Sequence, residues 1–64
     1  MNASDKAELS SLANTLEEAA RRLEAIARRY EETEEDDVAA RLRDAERSLS
    51  GAVRRVESVV RSTR

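Results

Sequence analysis

A chain of 64 residues with a formal net charge of −2, no Cys, no His, no Pro and one Gly has room for one small domain and none for disulfide or thiolate chemistry. Charged residues make up 41% of it, and Ala, Glu, Arg and Leu dominate, a composition of long helices or coiled coils that excludes a β-rich fold. One Tyr, no Trp or Phe and no imidazole leave little to wall a pocket or carry a proton, so neither an enzyme nor a cofactor site is expected.

In the first half, apolar residues fall at Leu9, Leu12, Leu16, Ala19, Leu23, Ile26 and Tyr30. This 3-4-3-4 spacing is the a/d pattern of a helical seam. Asn2 and Ser4 are suitable caps, and Asp5 with Glu8 three residues on reads as a capping pair, so a helix is predicted from about residue 4 to about 31.

The second half repeats the pattern at Val38, Leu42, Ala45, Leu49, Ala52, Val56 and Val59, which predicts a second helix over about 36–62. Gly51 lies on the outward side of this stripe and weakens the helix without interrupting the seam.

The eight residues from Tyr30 to Val38 turn a continuous helix by roughly 800°, leaving the two seams roughly 80° out of phase. A chain reversal removes this fault. It pairs residues whose numbers add to 68, from Tyr30 with Val38 to Leu9 with Val59, about a mirror point at Glu34. The expected fold is therefore all-α, an antiparallel two-helix hairpin over residues 1–64, with those fourteen a/d residues as its core. A straight helix paired with a second copy makes the same layers between chains and is the competing arrangement.

Residues 31–37 hold six acids, Glu31, Glu32, Glu34, Glu35, Asp36 and Asp37. Their spacing lacks the alternating ligands and the Gly of an EF-hand loop, so the run reads as a solvated turn rather than a metal site. Thr33 or Asp36 is the expected N-cap of the second helix, with acids in its positive first turn.

The flanks of the seam differ. Ala13, Ala20, Ala27, Ala39, Val53 and Val60 line one, interrupted by Lys6 and Glu46, and are expected to receive a partner: a second hairpin completing a four-helix bundle, or another helical protein. A chain this short buries little alone, which favours such association. Arg22, Arg29, Arg41 and Arg55 line the other flank, a possible anion-binding surface. Nucleic acid is a less favoured ligand, because the chain is acidic overall and has no aromatic stacking platform. Intrahelical pairs Glu17/Arg21, Glu18/Arg22 and Glu24/Arg28 are expected on a solvated face.

Charge is divided unevenly between the halves. Residues 1–37 sum to −6 and residues 38–64 to +4, so the two attract within a chain or between chains.

The segment LEEAARRLEAIARRYEETEEDDVAARL, residues 16–42, resembles the C-terminal helix of WXG100-like substrates and ESX secretion-associated proteins of actinobacterial type VII secretion. The resemblance implies helical hairpins that pair into four-helix bundles and an export motif, Tyr-x-x-x-Glu, at Tyr30 and Glu34. This chain lacks the Trp-x-Gly turn of that family and carries a second heptad helix after the motif. Eleven Arg against one Lys fits the GC-rich coding of actinobacteria. No apolar run reaches the ~20 residues of a membrane span and no cleaved signal is recognisable, so the expected location is the cytoplasm, or outside it through a type VII system.

Overall fold

The computed structural model describes residues 1–63; Arg64, part of the positive balance of the second half, lies outside them. Two helices, α1 (Ala3–Glu31) and α2 (Asp36–Ser62), pack along their length as a hairpin 49 Å long and 14 Å wide. Both boundaries match the sequence reading to within a residue or so, because the heptad stripes run without interruption to the ends of the helices.

The start of α1 is held by Asn2, whose side-chain oxygen accepts the Asp5 N–H at 2.7 Å. Ser4 and Asp5 already lie inside the helix, so Asn2 alone caps it. At the tip, neither Thr33 nor Asp36 caps α2. Its N-cap is Glu35, which makes no side-chain capping bond. Thr33 instead ties the turn together: its hydroxyl donates to the Tyr30 carbonyl at 2.7 Å and accepts the Glu35 N–H at 3.1 Å. A threonine side chain doing both jobs lets the chain reverse without Gly, Pro or any positive φ. Asp36 and Asp37 then occupy the first turn of α2, where the helix dipole favours negative charge.

The hairpin core is not the stripe that the heptad pattern predicts. The fully buried side chains among the described residues are Ala13, Ala20, Ala27, Ala39 and Val53, with exposures of 0 to 6%. All lie at e positions, one residue beyond d. These are the residues expected to face a partner, and together with half-buried Val60 they form the contact between α1 and α2. Running antiparallel, the two rows bring Ala13 of α1 and Val60 of α2 to one groove, and Val53 to another with Glu17.

The a residues Leu9, Leu16, Leu23, Tyr30, Leu42, Leu49 and Val56 flank that row and are only half-buried. Among the d residues, Ala19, Ile26, Val38 and Ala52 are half-buried, whereas Leu12 (49% exposed), Ala45 and Val59 (43%) are open to solvent. Each helix is thus rotated by roughly 70° from the a/d orientation, at 100° per residue. The physical reason is closeness of approach. Alanine rows let two helices come to the short end of the 8–10 Å range, gaining contact along their whole length, whereas leucines at the centre hold them apart.

Candidate interaction surface

Viewed down one end, antiparallel helices wind in opposite senses. Equal rotations therefore turn both d rows to the same side of the hairpin. One broad face consequently gathers Leu9, Leu12, Leu16, Ala19, Leu23 and Ile26 from α1 with Leu42, Ala45, Leu49, Ala52, Val56 and Val59 from α2. All are half-buried or exposed.

The g positions border this face on its outer edges. Shallow grooves show the junction directly. One is lined by Ala19, Arg22, Leu23 and Ile26, a second by Ile26, Arg29, Tyr30 and Thr33, and a third, at the open end, by Met1, Asp5, Glu8, Leu9 and Leu12. Arg22, Arg29, Arg41 and Arg55 are all exposed, so the expected arginine flank is present as a rim to the apolar face. The opposite side of the hairpin is polar. Its grooves are lined by Ser10, Asn14, Glu57 and Arg61 around Ala13 and Val60, and by Glu17, Ser50, Arg54 and Glu57 around Val53.

Ion pairs occupy the solvated surfaces. Arg21 meets Glu17 at 3.4 Å, Arg28 meets Glu24 at 3.1 Å and Arg47 meets Asp44 at 3.9 Å. The first two are intrahelical pairs expected from spacing; no ion pair joins Glu18 to Arg22 among the described residues. Exposed pairs of this kind contribute at most about 1 kcal/mol each.

Two polar contacts escape a reading by periodicity. Arg43 reaches from α2 to the Glu31 carboxylate at the end of α1, bridging the helices near the tip. The guanidinium hydrogen bond holds Glu31 below the usual carboxylate range and raises Arg43 in turn. Further down, Glu46 lies half-buried in the alanine row, where its carboxylate accepts the Ser50 hydroxyl at 3.2 Å. An acid at the end of one helix and a base two turns into the next was the only available signal for the first. The second shows only as a break in an otherwise small apolar row.

Tyr30 is in the last turn of α1 and Glu34 in the connecting loop, so the residues of the export resemblance sit together at the tip. Among the described residues no group of three acidic side chains is arranged to hold a metal ion, and no helix is long and apolar enough to cross a membrane. Comparison with protein-family models, curated proteins and solved structures returns no match.

Proposed function

We propose that this chain is a protein–protein interaction module whose binding surface is the a/d face, and that it works by pairing that face with a second helical hairpin to complete a four-helix bundle. The supporting observation is the exposure of a continuous apolar face in which Leu12 and Val59 stand nearly half open to water. Total accessible surface points the same way. The hairpin exposes 4933 Å², against about 4100 Å² for a compact monomer of its 7.2 kDa mass. The excess, roughly 800 Å², is close to what each partner buries in a standard interface.

A second copy is the simplest partner, because identical faces match in length and apolar character. The role that follows is that of an adaptor, regulator or oligomerisation element. Export by a type VII system is compatible with this role, with Tyr30 and Glu34 presented at the tip of the assembled bundle.

Sedimentation equilibrium tests the reading. Wild type is expected at twice the chain mass at micromolar concentration. Leu12→Glu, which alters a side chain only half covered in the hairpin, is expected to stay helical and sediment as a monomer. A monomeric wild type, or a dimer indifferent to Leu12→Glu, overturns it. The arginine rim supports a competing reading as a phosphate-binding surface. Reversing Arg22, Arg29, Arg41 and Arg55 to Glu removes any binding of RNA at low salt if that reading holds.

A further inference from the structure

We infer that the hairpin pairs with its own copy end for end, the acidic tip of one lying over the open end of the other, and that Glu8 and Arg29 across the two α1 helices select this orientation. The inference rests on the a/d face being the association surface, and it follows from the register of the charged rim.

Two twofold arrangements bring the faces together. In the end-for-end arrangement α1 lies over α1 of the second copy and α2 over α2. In the same-end arrangement α1 lies over α2 of the second copy, with the two tips side by side. Each fixes which rim residues meet, since g positions pair with g positions across antiparallel helices.

End for end, centring the α1 layers on Leu16 and Ala19 sets Leu9 against Ile26 and Leu12 against Leu23. The rim then sets Glu8 against Arg29 and Thr15 against Arg22, twice over by symmetry. Across the α2 helices, Arg41 meets Ser62 and Arg55 meets Ser48. Every rim arginine faces Glu, Thr or Ser, and no like charges meet.

Same end, the corresponding register sets Arg29 against Arg41, again twice. It also brings together two tips that each carry Glu31, Glu32, Glu34, Glu35, Asp36 and Asp37. The end-for-end arrangement moves these tips apart and places each over an open end of mixed charge, where Lys6 accompanies Asp5 and Glu8. Apolar burial is similar in both, so the charges decide.

The test combines a charge swap with a distance. Glu8→Arg and Arg29→Glu are each expected to weaken the dimer by about tenfold at low salt, since each turns two attractive pairs into repulsive ones. The double variant is expected to recover wild-type affinity to within about threefold. Spin labels on Glu34→Cys are expected about 45 Å apart, near the 49 Å length of the hairpin. A label distance below about 20 Å, the tips then being separated by little more than one helix spacing, overturns the end-for-end arrangement while leaving association through the a/d face intact. Single variants that bind as tightly as wild type overturn the role of Glu8 and Arg29. A wild type that stays monomeric at millimolar concentration overturns the arrangement together with the reading beneath it.

Discussion

The alanine row between the helices and the leucine–valine face beside it are built from neighbouring heptad positions, yet the structure uses them differently. Ala27, at the tip end of the α1 row, is completely covered, while Leu12, larger and fully apolar, is half open. Size explains the difference. Small side chains at the contact let backbones approach and pack along the entire hairpin, and larger ones at its edges close over that contact from one side. What remains of the larger side chains is a continuous apolar surface open to solvent.

The hairpin row is the place where the largest effect is expected. Ala27→Leu forces a branched side chain into a space closed on both sides and is expected to cost about 3 kcal/mol, read as a lowered thermal midpoint by circular dichroism. Carrying Leu12→Glu in the background keeps association out of the measurement. Leucine substituted at exposed Ala45 is expected to leave the midpoint nearly unchanged, and equal losses at the two sites would erase the distinction between row and face.

Glu46 offers a way to strengthen the row. Its half-buried carboxylate is supported by one hydroxyl, and Glu46→Leu is expected to raise stability by about 1–2 kcal/mol through apolar contact. A small domain converts that into a rise in midpoint of several degrees.

Gly51 lies outside both regions. A Cβ placed there meets only the Arg55 guanidinium, at 3.8 Å and beyond, so Gly51→Ala is expected to add up to about 1 kcal/mol of helix stability without altering the association state. Altered association in this variant would show that the outer side of α2 also takes part.

The smallest expected effect concerns the tip. Because Arg43 depresses the Glu31 pKa, this pair stabilises the fold above the ordinary carboxylate range, and its contribution is lost as pH falls through the lowered folded value. Arg43→Ala is expected to return the Glu31 titration, followed by NMR, to the ordinary range while the alanine row stays intact.

Much of the fold was legible without coordinates. Unbroken heptads set the length of both helices, the phase fault demanded a reversal, and six clustered acids marked where it occurs. The capping details were less legible, since Thr33 works through two bonds inside the turn rather than as a cap. The two apolar stripes were legible in their membership and exchanged in their assignment. The residues expected to form the core flank it, half-buried or exposed, and the flank expected to face a partner is the core.

Periodicity alone therefore determined two amphipathic helices, their limits and their antiparallel course, because each follows from spacing along one chain. Which of two adjacent stripes becomes the inner contact depends on how closely two backbones can approach once both are present. That is a property of side-chain volume in three dimensions, and only the packed hairpin decided it in favour of Ala13, Ala20, Ala27, Ala39 and Val53.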